Sequence, residues 1–320
     1  MADVVLNAVS RSIEKINKDF LIKPKQFEAI SSILNGFDTL AILPTSYGKS
    51  LIFQLLIPVC KLLPNRPKNP IIVVLSPLKS LIATQVADAN RRSSIGLKAI
   101  DLAEATTKNI LGDKINIICG TPERWLDQGG KNILKISEVR LNLVAVVIDE
   151  VHKVSWGIPS SSNSKAFREA FSRIGQIRTF CPERTPILAL SATLDADLTE
   201  LVKCSCELSK NLKIVHYCSN RDNIRLSIVK TSKSIKHLKW VLDSAKEYGE
   251  LCPKVLIYCR SQATVGWLYS NFLNYLKDYA YKGNNKDEEN CLVGIYPVEN
   301  CFLGMYHADT LYSTEKNAML

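Results

Sequence analysis

A chain of 320 residues with 46% hydrophobic and 22% charged residues is too apolar to remain disordered and long enough for two lobes, because single cores stop growing at roughly 250 residues. Its 41 Lys and Arg against 31 Asp and Glu leave a formal charge of +10, which suits a polyanionic partner without proving one. The ten cysteines are scattered, and several sit in apolar runs, so they read as buried reduced thiols; no second close pair accompanies Cys204 and Cys206, so no zinc is expected.

The start "MADVVLNAVSRSIEK" lacks a secretory pattern, and runs such as "LIFQLLIPVC" are too short to span a bilayer, which points to a nuclear or cytosolic protein with no membrane partner. Five β-branched runs then follow in order, each trailed by a stretch of helical periodicity: "TLAIL" (39–43), "IIVVLS" (71–76), "INIIC" (115–119), "LVAVVID" (143–149) and "PILALS" (186–191). Such runs fit strands buried on both faces of a parallel sheet with crossover helices, an α/β lobe. Ligands gather at the carboxyl ends of such strands, so "PTSYGKS", "SPLKS", "GTPER", "DEVHK" and "SATL" are the segments that matter.

The first lobe is placed at residues 1–212, a linker at 213–224 and a second, partial α/β lobe at 225–320. In that second part "WVLDSAKEY" reads as a helix, "KVLIYC" (254–259) as a buried strand, "KGNNKDEEN" (282–290) as an exposed loop and "CFLGMYH" as a further strand.

A strand running into Pro44, Thr45, Ser46, Tyr47, Gly48, Lys49 and Ser50 and then a helix has the order that a phosphate loop needs. Backbone N–H groups would face the phosphates, Lys49 would neutralise them and the Ser50 hydroxyl would bind Mg²⁺. The general pattern has Gly where Leu43 stands, and a capped helix after a buried strand would look similar. "VVIDEVHK" supplies the carboxylates such a loop requires: Asp149 to hold Mg²⁺ and Glu150 to deprotonate an attacking water, with His152 beside them. Ser191 and Thr193 end the fifth run with two hydroxyls.

The ordered set "PTSYGKS", "SPLKSLIATQV", "TPERW", "DEVHKVSWG", "SATL", "LIYCRS" and "GMYHADT" resembles superfamily two helicases, most closely the RecQ family of DNA helicases, over about residues 20–320. The resemblance implies a RecA-like phosphate-loop lobe followed by a partial second RecA-like lobe, ATP and Mg²⁺ as ligands, and single-stranded or partially duplex DNA as partner. It further implies 3′ to 5′ unwinding driven by ATP hydrolysis. "FLIKPKQFEAI" (20–30) makes Gln26 the candidate for the adenine edge. Ser76, Lys79, Thr121 and Arg124 fall on the implied DNA track. "VSWG" after "DEVH" matches the aromatic-rich loop of RecQ proteins, with Trp156 as its first aromatic and Phe167 and Arg168 as its following pair; aromatic faces stack bases and Arg pairs with phosphate. Tyr258, Arg260 and Ser261 match the motif opening the second lobe, and Tyr306, His307 and Ala308 a later one.

Three departures set further expectations. Ser46 replaces a family glycine, so a Cβ there costs about 1 kcal/mol if φ is positive. "IPSSSNSKA" separates Trp156 from Phe167, which predicts weak coupling through the loop. The motifs bearing the family's arginine finger do not precede Leu320, so slow turnover is expected unless another chain supplies them. The alternatives to a helicase motor are an ATP-responsive DNA-binding module without turnover, and an RNA helicase.

Overall fold

The computed structural model describes residues 2–16, 21–159, 164–218, 220, 223–230, 234–281 and 301–305. Contacts divide the chain into a unit of residues 1–222 and a unit of residues 223–320.

In the first unit seven strands, β1 Thr39–Ile42, β2 Ile71–Leu75, β3 Ala99–Asp101, β4 Ile117–Gly120, β5 Leu143–Ile148, β6 Ile187–Ser191 and β7 Lys213–His216, form one sheet in the order β3-β4-β2-β5-β6-β1-β7. Every pairing is parallel. The helices are α1 Ala2–Glu14, α2 Pro24–Leu34, α3 Lys49–Leu62, α4 Lys79–Arg91, α5 Thr107–Gly112, α6 Pro122–Leu126, α7 Gln128–Lys135, α8 Ser137–Asn142 and α9 Ala196–Ser205. Side chains alternate across a strand, so the apolar runs feed two cores. Val74, Val147 and Leu190 face one core with Ile30, Phe53 and Ile82 of α2, α3 and α4, while Val73, Val146 and Ala189 face the other with Trp125 and Val202 of α6 and α9. That two-sided burial is why these strands carry no polar face.

The strand β7 lies within the segment 213–224 expected to be a linker, and it pairs with β1 along its whole length. Its exposed Lys213, Ile214 and His216 show why it was hidden: an edge strand buries little and its sequence reads as polar.

The order β4-β2-β5-β6-β1 lines up the carboxyl ends as Gly120, Leu75, Ile148, Ser191 and Ile42. Hydrogen bonds lace them together: Ser76 N to Gly120 O at 2.9 Å, Asp149 N to Leu75 O at 2.9 Å and Leu43 N to Ser191 O at 2.9 Å. The topology therefore sets all five motif segments along one rim.

In the second unit, helix α10 Lys239–Tyr248 packs against α11 Gln262–Leu276 around Leu242, Phe272 and Leu276. The expected strand 254–259 does not form: its residues pair with nothing among those described, and Leu256 and Tyr258 are 75% and 88% exposed. An all-apolar strand needs neighbours on both edges. "CFLGMYH" contributes a single bridge, Cys301 to Tyr281. The loop 282–290 and Tyr306, His307 and Ala308 lie outside the described residues. Among the described residues no helix is long and apolar enough to cross a membrane.

Candidate functional site

The loop after β1 has the backbone that a phosphate cradle demands. Gly48 is left-handed at φ 90 and caps the N-terminus of α3, whose unpaired N–H groups and dipole favour an anion. A Cβ on Gly48 would stand 2.5 Å from Gln26 Nε2, so any other residue would push the Gln26 amide off the loop as well as strain the left-handed backbone. Ser46 is also left-handed, at φ 64, as the sequence reading anticipated for this glycine position. Relieving its Cβ contact offsets the entropy that glycine adds to the unfolded chain. Ser46→Gly is thus expected to match or slightly exceed the parent in thermal stability. Ser46→Val, β-branched at positive φ, should fall below Ser46→Gly by at least about 1 kcal/mol in urea unfolding.

Lys49, at the head of α3, holds the carbonyl of Leu43 at 3.2 Å, a neutral acceptor that it can exchange for a stronger anionic one. Gln26 is buried, and its Nε2 donates to Tyr47 O at 3.0 Å and Gly48 O at 3.1 Å while its Oε1 accepts from Lys23 N at 2.9 Å. Here the glutamine braces the loop with both ends of its amide. Thr45 is exposed and Ser50 half-buried in the first turn of α3.

Asp149 follows β5 and is 8% exposed. It accepts from Gln85 Nε2 at 2.6 Å and from Glu150 N at 3.0 Å. Burial raises its pKa from 3.8 to about 6, the Glu150 charge adds to the rise, and the Glu150 N–H, Lys49 and Gln85 oppose it. A buried carboxylate so poorly stabilised as an anion fits a cation, and Ser50 offers a hydroxyl of the right hardness; these two would hold Mg²⁺.

The raised pKa has a sign. Protonated Asp149 favours the folded state, a contribution present below about pH 4 and lost as pH rises through about 6, on the order of 2–3 kcal/mol. Asp149→Asn is therefore expected to raise the melting temperature of the nucleotide-free protein at pH 7.5 by several degrees while abolishing Mg²⁺-dependent nucleotide binding. An unchanged melting temperature would count against the desolvated carboxylate.

Glu150 sits at φ 49 and ψ 46, a left-handed conformation that costs a non-glycine residue about 1–2 kcal/mol. Its Oε2 lies 3.3 Å from His152 Nδ1, which is 3.1 Å from Ser191 Oγ, and Ser191 Oγ donates to Thr193 O at 2.9 Å. A carboxylate only accepts, so the contact with Glu150 favours the tautomer protonated at Nδ1, and burial lowers the His152 pKa. The four residues form one chain from the acid to the end of β6.

Farther along the rim Ser76 is buried, and its hydroxyl has no hydrogen-bond partner among the described residues. Thr121 is buried at the start of α6, whereas Lys79 and Arg124 are exposed. The stretch between Trp156 and Phe167 does not part them: Arg168 N donates to Trp156 O at 2.9 Å, and the two rings meet edge-on with centroids 5.4 Å apart. Phe167 is 76% exposed. Trp156 is half-buried against Phe171, with Lys153 over its ring at 4.6 Å.

Arg168, expected as a phosphate contact, is engaged within the protein. Its Nε and Nη2 grip Glu123 at 2.7 and 2.6 Å, and its Nη1 holds Pro77 O. With the fork closed on internal acceptors, it ties the aromatic segment to "SPLKS" and "TPER". Burial opposes ionisation of Glu123, but hydrogen bonds from Arg168, its own backbone and Thr121 outweigh it and lower the pKa.

Residues 23–201 match the family model of the DEAD/DEAH box helicases. The chain belongs to that family. Its relatives mark it as a RecQ-type superfamily two helicase. It is 31% identical over 248 residues to the bifunctional 3'-5' exonuclease/ATP-dependent helicase WRN of Mus musculus, covering 75% of this chain and 16% of that protein. To the ATP-dependent DNA helicase RecQ of Haemophilus influenzae it is 27% identical over 250 residues, covering 75% of this chain and 36% of that protein. The DUF1998 helicase MrfA bound to DNA and AMPPNP shares the fold, with a TM-score of 0.62 at 18% identity over 85% of this chain and 38% of that one. The RecQ-type chain thus spans well under half the length of these proteins.

Two residues of this rim give little signal in the sequence. Gln85 stands inside "SPLKSLIATQV", where only Ile82, Gln85 and Ala89 at helical spacing place an amide on the buried face of α4. Glu123, inside "TPER", gave no signal because its partner lies 45 residues away.

Proposed function

We propose that this chain is the ATP-binding and DNA-tracking core of a RecQ-like helicase, coupling hydrolysis of Mg²⁺·ATP to 3′ to 5′ movement on single-stranded DNA. The observation that carries the reading is the single rim on which a left-handed glycine-lysine loop, a buried Asp149 and the His152–Ser191 chain lie together. The loop N–H groups and Lys49 bind phosphates, and Gln26 keeps the loop in register. Magnesium, when bound, offsets charge on the phosphate oxygens. Glu150 takes the proton of the attacking water, and its contact with His152 links that state to Ser191 and Thr193. Ser76, Lys79, Thr121 and Arg124 position the strand through its backbone without reading sequence, and Phe167 stacks a base.

DNA rather than RNA is favoured by the aromatic segment after "DEVH". Fluorescence anisotropy of labelled single-stranded DNA and RNA of equal sequence, with and without Mg²⁺·AMPPNP, tests this. DNA should bind more tightly, with an affinity that nucleotide shifts severalfold in the parent and not in Lys49→Ala. Equal binding of RNA would sink the DNA assignment, and no nucleotide effect would sink the coupling. Partial duplexes with a 3′ or a 5′ tail decide polarity, the 3′ tail being the one expected to support unwinding.

A further inference from the structure

Helix α4 carries a buried glutamine that the roles above leave unused. Gln85 is 4% exposed, its Nε2 donates to Asp149 Oδ2 at 2.6 Å, and its Oε1 is buried with no hydrogen-bond partner among the described residues. An unsatisfied buried acceptor is costly, whereas an apolar side chain of the same shape would cost little. The orphan oxygen belongs to the same planar amide whose Nε2 holds Asp149 Oδ2. No described residue donates to it.

The helix bearing this amide is held firmly. One turn on, Gln54 of α3 donates to Asp88 at 3.2 Å and accepts from Arg92 at 2.8 Å, and Arg92 also pairs with Asp88. These contacts tie the helix that opens with Lys49 to the helix that carries Gln85.

We propose that Gln85 is a positioning residue for the hydrated divalent cation: Nε2 sets the direction of Asp149 Oδ2, and Oε1 accepts a hydrogen bond from a water of the cation's hydration shell. This rests on the Mg²⁺·nucleotide reading of the site. Partners of metal-ligating carboxylates typically change metal affinity by about 10–100-fold when removed.

The test is a Mg²⁺ titration of fluorescent mant-ADP binding to the full chain, with a parallel measurement in EDTA. Gln85→Met, similar in volume and without the amide, is expected to raise the Mg²⁺ concentration for half-maximal binding by about tenfold, leaving affinity in EDTA within about twofold. A merely structural glutamine would weaken both conditions alike or lower stability alone, and an unchanged Mg²⁺ midpoint overturns the proposal. Should Gln85→Met fail to fold, Gln85→Asn, one methylene too short to reach Asp149, decides by the same midpoint. Absence of Mg²⁺-dependent binding in the parent would instead remove the nucleotide reading itself.

Discussion

Glu150→Gln is expected to lower ATP turnover by on the order of 10²–10⁴, the range of a general base, while leaving Mg²⁺·nucleotide affinity within about threefold. Backbone as well as charge sets the position of this acid. Glu150 is held left-handed at φ 49, a strain that persists only where neighbours enforce it. Its N–H is fixed by Asp149 and its carboxylate lies against His152, so backbone and side chain are each held from a different side. Gln keeps the shape and removes the base. Glu150→Gly separates strain from chemistry: it should be equally inactive yet no less stable than the parent. Turnover in Glu150→Gln within about threefold of the parent would mean that another group takes the proton.

Phe167→Ala is the second large effect. A single base–aromatic stack is worth about 1–3 kcal/mol, so affinity for single-stranded DNA should fall about tenfold or more with an unchanged melting temperature, because the ring is exposed. Trp156→Ala should lose affinity and stability together, since that ring supports Phe167 and packs on Phe171. Arg168→Lys tests the clamp. A single ammonium cannot reproduce two bonds to Glu123 and one to Pro77, so stimulation of turnover by DNA should drop even though charge is kept. Full stimulation in Arg168→Lys would show that the fork is incidental.

The parts of this architecture legible from sequence are those where one residue type has one explanation. Two-sided burial leaves only β-branched runs, and so β1, β2, β4, β5 and β6 stood out. Short β3, with its half-exposed Ile100 and Asp101, and polar-edged β7 did not. The motif residues at strand ends were legible because topology, not local propensity, brings them together. The engagement of Arg168 was not, since the same guanidinium serves a phosphate or a carboxylate and only a partner 45 residues distant decides. The run 254–259 shows the converse limit: an apolar pattern records a preference for burial, and pairing depends on neighbours that the pattern does not contain.

Steady-state ATP hydrolysis by the full chain, with and without single-stranded DNA and beside Lys49→Ala, tests most directly that the rim is a DNA-coupled ATP site. Turnover that DNA raises severalfold and Lys49→Ala abolishes is the predicted result. Turnover indifferent to both DNA and Lys49→Ala, or nucleotide binding with no turnover under any condition, would contradict the motor and leave an ATP-responsive DNA-binding module in its place.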